Sequence, residues 1–360
     1  MSQWPEWLPL ADRLSALSPY GAPQVPAEAT LNTNENPYSL SPELSKAIAA
    51  RIQDCAKHLN RYPDRDATAL RSGLAAFINS QSATSFDVNN IWAANGSNEI
   101  IQSLFLAFGK SGAIGFTPSY SMHPLIAQVV DCKWRNGSRR ADFSLDISVA
   151  KREILEFSPS LTFITTPNNP TGSSVTIAEI LELAEIVPGL LVVDEAYAEF
   201  SDEKSAVTLI AANPKIVVIR TMSKAFSFAG ARVGYLVADP AVIKALFLVR
   251  LPYHLSALTQ AAAEVALEHQ EELLANVNRL ISAREDLRIA LEGFGLTVTP
   301  SKANFLLFSG FDIPAPELWQ KLLDKGVLIR DVGLSGYLRV TVGSDADNAL
   351  FIQALKSAIG

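Results

Sequence analysis

In the stretch TMSKAFSFAGARVGY (221–235), Lys224 follows the apolar run IVVI and sits beside Ser223, Ala225 and Phe226. Arg232 comes eight positions later. A lysine withdrawn from water there loses its proton more readily and becomes a nucleophile able to form a Schiff base. The ordinary alternative is a surface lysine. Asp194 ends another apolar run, LLVV, so its carboxylate needs a partner, and a protonated ring nitrogen would serve. Taken alone it suits a helix N-cap equally well. The turn GSNE (96–99) opens a helical pattern and offers backbone N–H groups to an anion. Thr221, Ser223 and Arg232 add hydroxyls and a guanidinium, which makes that anion a phosphate; the bland reading is capping by Ser97. Tyr120, in TPSYSMHP, can stack on a flat ring or simply pack. Asn169, in PNNPTG, can donate to a phenolate oxygen or merely form a turn.

The elements that must position these groups are short apolar runs alternating with helical stretches. The runs are IWAA (91–94), AIGF (113–116), LTFI (161–164), LLVV (190–193), IVVI (216–219) and YLVA (235–238). They lack polar alternation, so both faces are buried, which predicts a largely parallel sheet covered by helices. In such sheets ligands sit beyond the carboxyl ends of the strands. NGSNE, TTPNNPTG, DEAY and RTMSKAF all follow strand ends, so they are expected to converge. A Schiff-base lysine, a carboxylate for a ring nitrogen, a phosphate cradle and donors for a ring oxygen together describe pyridoxal 5′-phosphate.

Ser41-Pro42-Glu43 predicts a helix start, with helix to about His58 and a second helix from about Ala67 to Ile78. A short helix is expected around Leu10–Leu17, and a nearly unbroken one from about Ala257 to Leu291 bridging two domains. NFLLF, VLIR and YLRVTV with two helices predict a smaller α+β domain. In LRVTV, Arg339 shares a face with Thr341, opposite Leu338, Val340 and Val342; that face meets a cleft or water.

With 360 residues, the chain exceeds one simple core. It is 48% hydrophobic and 19% charged, hence globular. A net charge of −7 with no basic tract disfavours nucleic acid as a partner. Cys55 and Cys132 form neither a disulfide framework nor a metal spacing, which suits the cytoplasm. The N-terminal MSQWPEWLPLADRL lacks a signal peptide's basic flank, and no run approaches a membrane span. GKS (109–111) lacks the first glycine of a P-loop and follows a helical segment.

The set NENPY (34–38), RYPD (61–64), TPNNPTG, DEAYAEF (194–200), SKAF with GARVG, and YLRVTVG (337–343) resembles the fold-type I aminotransferases. Within them it is most similar to the histidinol-phosphate aminotransferases, from SPYGAP (18–23) to the last helix. The resemblance implies a three-layer α/β fold. Residues 1–35 would form an arm in the small domain and a dimer contact, 36–265 the large cofactor-binding domain and 266–360 the small domain. It implies that Lys224 carries the cofactor, Asp194 pairs with the pyridine nitrogen, and Tyr197 and Asn169 hold the ring oxygen. Ser97, Asn98, Thr221, Ser223 and Arg232 would bind phosphate, and Tyr120 would stack on the ring. Tyr62 would reach the phosphate of a partner subunit, making the active unit a homodimer. Arg339 would take the acidic end of a small-molecule substrate, with Arg330, Tyr20, Asn34 and Tyr253 as further contacts; His123 receives no role. The implied reaction is L-histidinol phosphate with 2-oxoglutarate. An aromatic amino-acid aminotransferase and a threonine-phosphate decarboxylase share the same frame. A regulator reusing this fold would need a DNA-binding domain, for which the 33 residues before NENPY leave no room.

Overall fold

The computed structural model describes residues 4–5 and 7–359. Residues 1–3 and 6, part of the stretch read for a targeting signal, lie outside the described residues. In chain order the strands are β1 (Ala29–Thr30), β2 (Ile91–Ala94), β3 (Ala113–Thr117), β4 (Trp134–Ser138), β5 (Leu161–Thr165), β6 (Leu190–Asp194), β7 (Ile216–Thr221), β8 (Gly234–Val237), β9 (Thr297–Val298), β10 (Phe305–Ser309), β11 (Val327–Leu328) and β12 (Leu338–Thr341). The helices are α1 (Pro42–Ala56), α2 (Thr68–Ser82), α3 (Ser97–Phe108), α4 (Met122–Val129), α5 (Ile147–Phe157), α6 (Ile177–Ile186), α7 (Pro240–Leu246), α8 (Ala257–Glu268), α9 (Gln270–Gly293), α10 (Ala315–Leu323) and α11 (Asp345–Ile359). Local chemistry sets their starts. The Ser41 side chain accepts from the Leu44 N–H and Pro42 occupies the first turn of α1. Thr176 and Glu179 cap α6 reciprocally.

The seven-stranded sheet runs β2-β8-β7-β6-β5-β3-β4. Its strands alternate between two apolar cores. Leu191, Val193 and Val218 face one, with α1, α2, α5, α6 and α8; Val192, Val217 and Ile219 face the other, with α3, α4 and α7. This is the three-layer α/β arrangement the apolar runs predict. A third core gathers Ala29 and Leu31 with residues of α9, α10, α11, β10 and β12. There β12-β10-β9 form an antiparallel sheet, and β1 pairs with β11 in parallel. No helix among the described residues is long and apolar enough to cross a membrane.

The structure departs from sequence expectation in four places. The YLVA segment lies in β8, which runs antiparallel to both β2 and β7. The twelve residues between β7 and β8 hold a single 3-10 turn, Ala229–Ala231, and no α-helix to carry a parallel crossover. The edge strand β4, WRNGS, escaped notice because its pattern is polar. The expected helix at 10–17 is a single 3-10 turn, Asp12–Leu14. The expected continuous helix breaks at His269, whose ψ of 22° leaves the helical range. Each half answers to a different partner: α8 packs on α1 and α2, whereas α9 packs on β9, β10 and α11.

At Gly234, beside the sheet's carboxyl edge, two backbones come close together. A Cβ there would stand 2.5 Å from the Gly96 carbonyl carbon and 2.6 Å from the Ser97 nitrogen, both backbone atoms. Gly234→Ala is expected to destabilise the fold by about 1–3 kcal/mol, read from the denaturant midpoint at unchanged slope.

Candidate active site

Because β2, β5, β6 and β7 run in the same direction, their carboxyl ends open on one edge. There a cleft of about 620 Å³ forms, a size suited to a small-molecule ligand. It is lined by Ser97, Asn98, Tyr120, Asn169, Asp194, Tyr197, Thr221, Ser223, Lys224 and Arg232. Tyr20, Asn34, Arg330 and Arg339 line it from the arm and the C-terminal segment. Two residues from the sequence reading stay outside. Tyr62 and Tyr253 stack on each other at 4.4 Å between centroids, and Tyr62 is 79% exposed. Tyr253 therefore does not reach the cleft of its own subunit.

Lys224 Nζ donates to the Thr33 carbonyl at 2.8 Å, and no carboxylate pairs with it among the described residues. Burial, reinforced by the Arg339 charge, brings its pKa down from 10.5 to about 8. Glu35 acts weakly the other way and Arg232 in the same sense as Arg339. Arg339 is itself buried, and burial lowers its pKa to about 10. Its Nη1 donates to Asn169 Oδ1 at 2.6 Å and its Nη2 to the Asn32 carbonyl at 2.7 Å. Its Nε is buried with no partner. Of the two readings for the Arg339 face, the cleft is the one observed.

Asp194 is 2% exposed. Its Oδ1 accepts from the Ala196 N–H at 3.2 Å, and its Oδ2 lies 3.1 Å from His123 Nε2. A carboxylate there calls for the proton on Nε2. His123 is the neighbour that sequence reasoning left unassigned. The spacing of Tyr120 and His123 was the available signal, since the two rings meet edge to face at 5.4 Å. Tyr197 OH accepts from Asn34 Nδ2 at 2.9 Å and from Asn169 Nδ2 at 3.4 Å. Burial raises the Tyr197 phenol's pKa, opposed by Arg339 and the Asn34 hydrogen bond. Burial likewise raises that of Tyr120, whose hydroxyl donates to Asn98 Oδ1 at 3.1 Å. Asn168 is fully buried and ties the loop to Pro118 and Thr171, so it serves structure.

At the start of α3, Gly96 has φ +81° and supplies no side-chain cap. The first turn's N–H groups therefore face the cleft. A Cβ on Gly96 would lie 2.6 Å from Arg232 Nη2. Arg232 Nη1 reaches Ser223 Oγ at 3.5 Å and the Ala229 carbonyl at 3.1 Å, and no carboxylate pairs with it among the described residues. A cation, two hydroxyls and a helix start around a space that only glycine leaves open make an anion cradle. With the buried amine, the held carboxylate and the phenol, these groups fit pyridoxal 5′-phosphate. GKS (109–111) forms a 3-10 turn after α3 and takes no part.

Residues 28–355 match the family model described as aminotransferase class I and II. The chain is 54% identical to the histidinol-phosphate aminotransferase of Nocardia farcinica over 96% of its own length and 90% of the relative's. It is 53% identical to that of Mycolicibacterium smegmatis over 96% of this chain and 92% of the other. Among solved structures, histidinol-phosphate aminotransferase from Sinorhizobium meliloti in complex with pyridoxal-5′-phosphate shares the fold with a TM-score of 0.86. That match has 22% identity and covers 98% of this chain and 97% of the other. A mostly parallel sheet that delivers a carboxylate, an amine and an anion cradle to one edge is thus set in a chain that belongs to the aminotransferase class I and II family, among its histidinol-phosphate aminotransferases.

Proposed function

We propose that the protein transfers the amino group of L-histidinol phosphate to 2-oxoglutarate, giving imidazole-acetol phosphate and L-glutamate, as a cytoplasmic enzyme of histidine biosynthesis. The observation that carries this reading is a buried amine of lowered pKa within electrostatic reach of two arginines, Arg339 and Arg232, neither of which is paired with a carboxylate. The names of relatives at about 54% identity support the substrate and favour neither the aromatic nor the decarboxylase alternative.

Pyridoxal 5′-phosphate, when bound, supplies an aldehyde for amine exchange and a protonated ring that withdraws electrons. Lys224 would hold the aldehyde carbon, Asp194 the ring nitrogen, and Tyr197 and Asn169 the ring oxygen. Ser97, Asn98, Thr221, Ser223 and Arg232 would hold the phosphate, and Tyr120 would cover the ring. The Lys224 amine, released by substrate, then takes the proton from the amino-bearing carbon and returns it as general base and acid. A pKa of about 8 leaves a sizeable neutral fraction for that task near neutral pH. His123 holds Asp194 in place through Oδ2. Arg339, with Arg330, would grip the substrate's acidic end; planar guanidinium groups accept phosphate and carboxylate alike. Tyr20 and Asn34 would complete that end of the cleft. In this reading residues 1–35 and 266–360 form the smaller body over residues 36–265.

The active unit is read as a homodimer. Tyr62 and Tyr253 stack on each other, and Leu248, Leu251 and Leu59, within five residues of one or the other in sequence, are 86%, 74% and 54% exposed. A second copy covering these side chains would receive Tyr62, and with it Tyr253, at its own cleft.

Purified protein is expected to turn over histidinol phosphate with 2-oxoglutarate at a higher kcat/KM than phenylalanine or tyrosine, with ping-pong kinetics. Lys224→Ala is expected to lower kcat on the order of 1,000-fold or more and to abolish the borohydride-reducible chromophore. Retention of both would overturn the assignment. Mixing inactive Lys224→Ala with impaired Tyr62→Ala protein is expected to restore about a quarter of wild-type activity through hybrid dimers, each with one intact site. No recovery would exclude shared sites. Stability gives an independent check on Lys224. Unfolded chains keep the lysine proton up to about 10.5, whereas the folded protein releases it from about 8. The unfolded state binds more protons in that window, so stability rises with pH there. Cofactor-free wild type is expected to gain about 3 kcal/mol over Lys224→Met between these limits, read from denaturant unfolding at each pH.

A further inference from the structure

Behind the cleft a buried ionic cluster spans the ends of β6 and β7. Arg220 immediately precedes Thr221, and strand alternation turns it to the opposite face of the sheet. Its Nε donates to Glu195 Oε2 at 2.8 Å, its Nη2 stands 2.8 Å from the same oxygen, and its Nη1 donates to Glu199 Oε1 at 2.9 Å. Glu195 also accepts from Ser205 Oγ and from the Ala206 N–H, each at 2.7 Å. The side chains of Arg220, Glu195 and Glu199 are 6%, 3% and 8% exposed. Burial works against the Arg220 charge and the two carboxylates more than offset it.

The two glutamates stand two residues before and two residues after Tyr197. One guanidinium therefore grips both ends of the turn that carries Tyr197 into the cleft. From the cleft side the same tyrosine is held by Asn34 and Asn169. Glu195 also follows Asp194 directly, so the grip fixes the carboxyl end of β6 against that of β7. Stability alone does not account for the cluster. Buried ion pairs are commonly matched or bettered by apolar residues of equal volume. Here Glu199 Oε2 and the hydroxyl of Tyr235, the β8 register partner of Arg220, are buried without partners, which carries a desolvation cost. Such local costs are tolerated where geometry serves function.

We propose that Arg220 is a positioning residue: by holding Glu195 and Glu199 from behind the sheet, it sets the place of the Tyr197 hydroxyl and the Asp194 carboxylate in the cleft. The proposal rests on the transaminase reading and goes beyond it in assigning work to three side chains that touch neither cofactor nor substrate.

The test is a double-mutant cycle between Glu199→Ala and Tyr197→Phe in the full-length, cofactor-loaded protein. Three quantities are read: the rate constant of the first half-reaction, the pH midpoint of the bound cofactor's visible absorbance, and the thermal midpoint of the cofactor-free protein. Glu199→Ala is expected to slow the half-reaction about tenfold and move the absorbance midpoint, since small misplacements cost rate steeply. Glu199→Gln, whose amide oxygen still accepts from Arg220, is expected to restore both. In the Tyr197→Phe background Glu199→Ala is expected to change neither further, while its thermal cost persists. An undiminished rate loss in that background would overturn the proposal, as would a wild-type rate and midpoint in folded Glu199→Ala protein. If Glu199→Ala does not fold, Arg220→Lys carries the same cycle, because one ammonium cannot reproduce the guanidinium's three-point fork. Failure of the underlying reading looks different: wild-type protein itself would lack cofactor absorbance and turnover.

Discussion

Keeping the Lys224 amine out of water, donating to the Thr33 carbonyl, is the constraint that the surrounding architecture answers. A lysine so placed gives up part of its proton affinity, and nearby arginines deepen the effect. Pairing it with a carboxylate would remove the cost and the reactivity together. The acid in the cleft is instead kept on other partners: Asp194 is held by His123 and the Ala196 N–H. Separate hydrogen-bond partners thus keep the amine and the carboxylate as independent chemical tools in one pocket.

Those partners come from distant parts of the chain. Asn34 reaches Tyr197, and Thr341 holds the backbone and side chain of Asn34. Arg339 bonds the Asn32 carbonyl and Asn169. The arm, the sheet edge and the C-terminal segment thus share one polar network around the phenol. The pairing of β1 with β11 explains why the arm can take part, since it anchors residues just upstream of Asn32 to the C-terminal core. Arg220 secures the same phenol's turn from the far side.

Much of this was legible in one dimension because the sheet is buried on both faces. IWAA, LTFI, LLVV and IVVI announce strands by unbroken apolarity, and polar clusters at their ends announce a shared edge. Capping chemistry announced α1 almost to the residue, whereas α3 starts after Gly96 with no side-chain cap, so the capping reading of Ser97 is not met. What stayed hidden depended on tertiary context. The apolar run of β8 carries no mark of its direction, which follows from the short link to β7. No glycine or proline marks the break at His269, where α8 keeps to one apolar core while α9 runs on from that core into the C-terminal one. His123 receives no role from the sequence, and only the fold sets its ring beside Asp194. Tyr253 carried an expectation that one subunit's own cleft does not meet, because its ring lies outside on Tyr62.

The reversal of β8 has a mechanical corollary. Lys224 and Arg232 lie in one loop whose two feet, Thr221 and Gly234, are register partners in adjacent strands, and the Met222 N–H closes the loop on the Val233 carbonyl at 3.0 Å. In the proposed assignment, the span from covalent tether to phosphate clasp would be gauged within that single loop. Arg339 belongs to another sheet, so any rocking of that layer would alter the purchase on substrate while the tether-to-clasp distance held constant. On that assignment, anchorage of the prosthetic group and adaptation to two differently shaped amino donors would be mechanically uncoupled.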